Sequence, residues 1–182
     1  MKLVVVGNGA IGTMASLELA KAHPKWEITL MGHTSRKVSA STAAGAMINV
    51  FAEYESVPDS QRESEEKFLE TGIKGAKAWK EFLDECGRTD IISARDTHVV
   101  LKQNSSEFEL DNFVSVQKKA EEFSVGIEVP VDSISGIDPT RAESFESVLR
   151  IEGEFALDSL ELFSHLDDEL SKRGIVCDGR DV

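Results

Sequence analysis

The first twelve residues restrict the fold more than any other stretch of the chain. Leu3-Val4-Val5-Val6 is an uninterrupted apolar run ended by Gly7, the pattern of a strand buried on both faces of a parallel sheet. Ile11, Met14, Ala15, Leu19 and Ala22 then recur at helical spacing as far as His23-Pro24, where proline cannot continue the ladder. Trp26 to Met31 reads as a second strand. Parallel neighbours need a crossover of this kind, nearly always right-handed, so the chain opens with a βαβ unit and its fold class is α/β.

The turn between strand and helix carries the chemistry. Gly7-Asn8-Gly9-Ala10-Ile11-Gly12 is a GxGxxG string, weak evidence alone but here in the strand-to-helix setting that a dinucleotide fingerprint requires. Gly7 permits the tight turn, Gly9 lets the backbone approach a pyrophosphate, and Gly12 lets helix and strand pack closely. The helix start at Ala10 and Ile11 supplies unpaired N–H groups and a positive dipole end for phosphate. A fingerprint of this type also expects an acidic residue near the end of the second strand, to bind the ribose hydroxyls. Gly32 stands in that place, followed by His33, Thr34, Ser35 and Arg36. Three consequences are open: recognition of a 2′-phosphate as in NADP, with Arg36 suited to it; a flavin nucleotide whose ribose is held by backbone and Ser35; or a degenerate, empty site.

Along the rest of the chain, Ser39, Ser41 or Thr42 is placed to cap a short helix through Ala43-Ala44-Gly45-Ala46-Met47. Phe68, Gly72, Gly75, Ala76, Trp79, Phe82, Leu83 and Cys86 form the stripe of a long helix, its glycines suited to close packing, ended by Gly87. Thr97 to Lys102 reads as a strand, Leu110 to Phe123 as a helix and Ile127 to Val131 as a short extended segment. Asp158 with Glu161 resembles a capping box, and Leu160, Phe163, Leu166 and Leu170 supply the buried face of the helix that follows, until Gly174. Ile175 onward reads as a third parallel strand. It stops soon after it begins, which points to the N-terminal part of a longer protein with an open sheet edge, available to a second copy or a missing C-terminal half.

Beyond the glycines, the segment from Ser39 through Ser41, Thr42, Ala43, Ala44 and Gly45 to Glu53 resembles, together with Val4 to Gly12, the FAD-dependent oxidoreductases of the D-amino-acid oxidase superfamily, close to the glycine oxidase type. Ile151 to Asp158 likewise resembles that family's return from substrate domain to flavin domain. The resemblance implies pyrophosphate binding at Gly7, Gly9 and Gly12, and passage of Ser41, Thr42, Ala43, Ala44 and Gly45 close to the flavin. It implies a Rossmann-like FAD/NAD(P)-binding parallel sheet, from residues 1–55 and 150–182, with an inserted α+β substrate-domain portion at 56–149. The implied chemistry is hydride transfer from an amine or amino acid to FAD, then reoxidation. The family's substrate-binding groups lie largely in its second half, so no catalytic residue is assigned and the chain alone is expected to be inactive. The alternatives are an NADP-dependent dehydrogenase domain, favoured by Gly32 and Arg36, and a non-catalytic fragment or interaction module without cofactor.

Other classes drop out on composition and pattern. With 20 Lys and Arg against 33 Asp and Glu the net charge is −13, and no basic run is present to bind a nucleic-acid backbone or an anionic membrane. Cys86 and Cys177 are far apart and read as ordinary thiols of a reducing compartment. The short apolar N-terminus is too brief for a signal or a span, so a cytoplasmic protein is expected. His23, His33 and His165 have no ligand spacing, so no metal site is expected. His98, in an apolar strand, reads as a structural residue. No P-loop or nucleophile elbow occurs.

Overall fold

The computed structural model describes residues 1–33, 41, 46–134 and 139–179. In chain order the principal elements are β1 (Lys2–Val6), α1 (Ala10–Ala22), β2 (Glu27–Met31), β3 (Met47–Ile48), α2 (Asp59–Glu85), β4 (Ile92–Lys102), α3 (Glu107–Glu122), β5 (Gly126–Glu128), α4 (Pro139–Ala142), β6 (Phe145–Leu157), α5 (Ser159–Lys172) and β7 (Val176–Asp178). The chain divides into two compact units, Met1–Ala46 with Leu157–Val182, and Met47–Ala156. Among the described residues no helix is long and apolar enough to cross a membrane.

The first unit is a mixed α/β layer built on a three-stranded parallel sheet in the order β1-β2-β7. Leu3 lies opposite Ile28 and Val5 opposite Leu30, and Leu30 in turn lies opposite Cys177. The two crossover helices, α1 and α5, pack on each other and therefore share one face of the sheet. This corrects the expectation that β1 is buried on both sides: Ile28 and Leu30 are buried on the covered face, whereas Val4 and Val6, pointing the other way, are 54% and 63% exposed.

The buried face of α1 also differs from the apolar periodicity. Thr13, Ser16 and Leu17 are buried while Ile11 is 88% exposed. Small residues suit the line where helix and sheet approach closely, and each hydroxyl is satisfied locally: Thr13 Oγ1 donates to the Asn8 carbonyl at 3.2 Å and Ser16 Oγ to the Gly12 carbonyl at 2.8 Å. On α5 the face is Leu162, Phe163, His165, Leu166 and Leu170. Leu160, expected among them, is 65% exposed, off the face that Leu162, Phe163 and Leu166 bury. Asp158 accepts from the N–H groups of Leu160 and Glu161 at 3.0 and 3.1 Å. Asp158→Ala should therefore cost about 1 kcal/mol and lower the melting temperature by about 2–4 °C; a thermal scan showing no decrease would contradict the capping role.

The second unit holds a sheet in the order β3-β6-β4, with β5 also paired to β6. Its core gathers Val50, Phe51 and Tyr54 with Leu69 of α2, Leu101 of β4, Phe113, Val116 and Ala120 of α3, and Leu149 and Ile151 of β6. The stripe of α2 read in the sequence holds from Gly72 to Cys86, with Leu83 buried, and departs from it at Phe68, which is 54% exposed while its neighbour Leu69 is buried. Gly72 is where α2 packs closely, since a Cβ there would lie 3.0 Å from Val50 Cγ1, while a Cβ at Gly75 would meet nothing within 4 Å. Met47, expected at the end of a short helix, is instead in β3, after Ala46 at φ +44°. β4 starts five residues before the strand expected from Thr97. His98, expected to be structural and satisfied, is exposed on it.

Two polar networks tie this unit together. Lys119 donates to Glu122 at 2.7 Å and to Glu66 at 2.9 Å, and the Tyr54 hydroxyl donates to Glu66 at 3.1 Å. The Lys119 ammonium holds the Glu66 carboxyl below the usual carboxylate range. Deeper in the unit, one oxygen of Glu154, a residue only 4% exposed, accepts from the backbone N–H groups of Val50, Phe51 and Ala52 at 2.7, 2.6 and 3.2 Å.

Candidate functional site

The glycine turn lies where β1 runs into α1. Gly7 takes φ +102°, a conformation that a side chain strains, and its N–H donates to the Met31 carbonyl at 2.7 Å. That bond extends the β1–β2 ladder one residue past the strand and fixes the turn. Gly12 then packs directly on it, since a Cβ at Gly12 would collide with the Gly7 carbonyl oxygen. The two glycines together permit a closeness that no other residue pair could.

Gly9 is the N-cap of α1 and has no side chain with which to satisfy the helix start. The Thr13 N–H reaches back to the Gly9 carbonyl at 3.0 Å, which leaves the first three donors of the helix outside the ladder. Ala10 is satisfied from a distance in sequence: its N–H donates to Ser41 Oγ at 3.2 Å. The N–H groups of Ile11 and Gly12 have no acceptor among the described residues. Gly9 also makes room for Ser41, because a Cβ on it would stand 2.9 Å from Ser41 Oγ. No acidic residue lies in the first turn of α1, so two donors and a positive dipole end remain available to an anion despite the net charge of −13.

At the end of β2, Gly32 donates its N–H to the Asp178 carbonyl at 3.1 Å, holding the ends of β2 and β7 level. A cleft of about 710 Å³ opens there, lined in part by Asn8, Gly32, His33, Phe163 and Asp178. The Asn8 side chain crosses to β2 and donates from Nδ2 to the His33 carbonyl at 2.8 Å.

Of the residues singled out in the sequence, Gly7, Gly9, Ala10, Ile11, Gly12, Gly32 and Ser41 are thus described. The structure brings Gly7 against Gly12 and Ser41 against Gly9 and Ala10. Gly32 is set apart from Ser41 and faces Asn8 instead. Ser35, Arg36, Thr42, Ala43, Ala44 and Gly45 lie outside the described residues. Sequence reading passed over Asn8, since it fills a variable position of the GxGxxG string and only the folded β2 shows what it touches. A second cavity, of about 280 Å³, lies in the other unit beside Tyr54, Leu101 and Phe113 and contains none of the expected site residues.

This arrangement belongs to a fold seen in oxidases and dehydrogenases of amino acids and related amines. Glycine oxidase from Geobacillus kaustophilus superposes with a TM-score of 0.73 at 17% identity, over 96% of this chain and 45% of that one. Iminodiacetate oxidase from Chelativorans sp. BNC1 gives 0.68 at 16% identity, over 100% and 46%. L-Proline dehydrogenase from P. horikoshii gives 0.65 at 16% identity, over 97% and 43%. The chain spans less than half the length of these structures, and at such identities the likeness is one of fold. No protein-family model matches the sequence, and no curated protein matches it.

Proposed function

We propose that this chain is the FAD-binding N-terminal portion of a flavin-dependent oxidoreductase that acts on an amine or amino acid, with residues 1–55 and 150–182 forming a Rossmann-like dinucleotide domain and 56–149 belonging to a substrate domain. The observation that carries the reading is the likeness of fold to glycine oxidase, which extends over 96% of the chain and so includes both units. The glycine turn supports it independently. The N–H groups of Ile11 and Gly12 stand open at a helix start with no acidic residue in its first turn, an arrangement that fits a phosphate group.

In this reading Ile11 and Gly12 donate to phosphate oxygens, Ser41 fixes the helix start that presents them, and Ser41 to Gly45 pass close to the flavin, leaving room for a flat ring. When bound, the flavin supplies the oxidising power, taking a hydride from the substrate carbon that bears the nitrogen. The likeness to an iminodiacetate oxidase and an L-proline dehydrogenase favours this substrate class over the NADP-dependent alternative. The residues that bind substrate belong to the rest of the complete enzyme.

The test is a visible absorption spectrum of the purified chain after incubation with FAD and removal of free ligand by gel filtration. A retained flavin band is expected. A spectrum without it, accompanied by thermal protection from NADP, would overturn the flavin reading in favour of a nicotinamide cofactor.

A further inference from the structure

We infer that Asn8 holds the adenosine ribose, in the role that a carboxylate at the end of the second strand fills in other dinucleotide folds. This rests on the dinucleotide reading of the site and adds to it the residue that recognises the sugar.

Three observations lead there. First, Gly32 and Asn8 share one volume: a Cβ placed on Gly32 would run into the Asn8 side chain, with the two Cβ atoms 2.8 Å apart. Contact so close to the Asn8 backbone cannot be relieved by moving the tip of a flexible chain. The strand-end acid is therefore absent because a side chain from the glycine turn already stands in its place. Second, the orientation of the carboxamide is fixed. Its Nδ2 donates to the His33 carbonyl at 2.8 Å, and because a carbonyl can only accept, the nitrogen must face His33. The Oδ1 then keeps its accepting capacity and meets no donor among the described residues. Third, Asn8 lies between Gly7 and Gly9 and lines the same cleft as Gly32 and Asp178, next to the N–H groups that would take the phosphates. A sugar joined to those phosphates comes within reach of it.

The chemistry follows from the inventory of donors and acceptors. A ribose diol offers two O–H donors, and an amide oxygen with two lone pairs can accept from one or both. Being neutral, it binds the diol less tightly than a carboxylate does. The contact is consequently modest and specific to a sugar with free hydroxyl groups.

The experiment is calorimetric titration of the chain with ADP, 2′-deoxy-ADP and 3′-deoxy-ADP. Wild type should lose about fivefold in affinity for at least one deoxy ligand. Asn8→Ala should bind all three alike, at the weaker level. Gly32→Ala should also lose the discrimination, and because its added carbon presses on the Asn8 Cβ and so on the turn itself, it should in addition bind all three ligands more weakly than Asn8→Ala does. Equal binding of the three ligands by wild type would overturn the inference while leaving the dinucleotide reading standing, as would discrimination that survives in Asn8→Ala. Failure of wild type to bind ADP at all would overturn both.

Discussion

Gly12→Ala is expected to destabilise the chain by about 3 kcal/mol, against the sign that helix propensity assigns to it. Within a helix alanine is favoured over glycine by about 1 kcal/mol, and Gly12 lies inside α1. A Cβ at this position, however, would collide with the Gly7 carbonyl oxygen and stand 3.0 Å from its carbon. These are backbone atoms of a turn already fixed by the Gly7 to Met31 hydrogen bond and by φ +102° at Gly7. They cannot retreat as the end of a side chain can, so α1 must shift away from β1 and β2. Overpacking of this kind costs about 1–3 kcal/mol or more, and it also loses the contact between α1 and Leu30, whose Cδ1 lies 3.7 Å from the added carbon. Urea denaturation measures the difference. A variant as stable as wild type would show that the turn yields easily and that the close packing is incidental.

A loss of about 4 kcal/mol is expected for Glu154→Ala. One oxygen of this buried side chain accepts three backbone N–H groups, from Val50, Phe51 and Ala52, and Val50 and Phe51 are themselves buried at 4% and 8% exposure. Truncation leaves three donors without an acceptor, each costing about 1–3 kcal/mol where water cannot reach. Glu154→Gln separates the hydrogen bonds from the charge. Its amide oxygen can still accept from the three donors, while its nitrogen takes the place of an oxygen that has no partner, so a loss of about 1–2 kcal/mol is expected. The ranking is measured by chemical denaturation of both variants. A Glu154→Ala protein within about 1 kcal/mol of wild type would mean that the three N–H groups find acceptors elsewhere.

The parts legible in the sequence were those whose signal is local. The βαβ opening, the N-cap at Asp158 and the parallel strand after Gly174 each rest on a few neighbouring residues, and each is present. β6 was not foreseen along its length of 13 residues, and its geometry explains why. Gly153 takes φ +85° and its N–H donates to Asp96, itself at φ +63° on β4, so the alternation of faces breaks in mid-strand. The pattern that marks a strand is lost there. On α2 the neighbours Phe68 and Leu69 both fit an apolar stripe, and only the packing of the helix, close to Val50 at Gly72, buries Leu69 and leaves Phe68 exposed. The glycine turn was legible as a tight turn from strand into helix, with Gly12 packed against Gly7. Its partners were not, because the approach of Asn8 to Gly32 and of Ser41 to Ala10 depends on pairs 24 and 31 residues apart that come together only in the folded unit.

The division of the chain sets the order in which it can assemble. The parallel sheet takes its third strand from beyond the whole of the other unit, with Met31 beside Asp178, so β2 and β7 must close a loop of roughly 150 residues, an entropic debt that grows with the logarithm of its length. Residues Met47–Ala156, by contrast, are continuous and can fold from their own contacts. As the chain leaves the ribosome, β1, α1 and β2 emerge before the other unit, and their sheet stays without its third strand until that unit has been made and α5 and β7 have followed it. The segment with the glycine turn is thus synthesised well before the strand that completes its sheet, and is among the last to reach its final form.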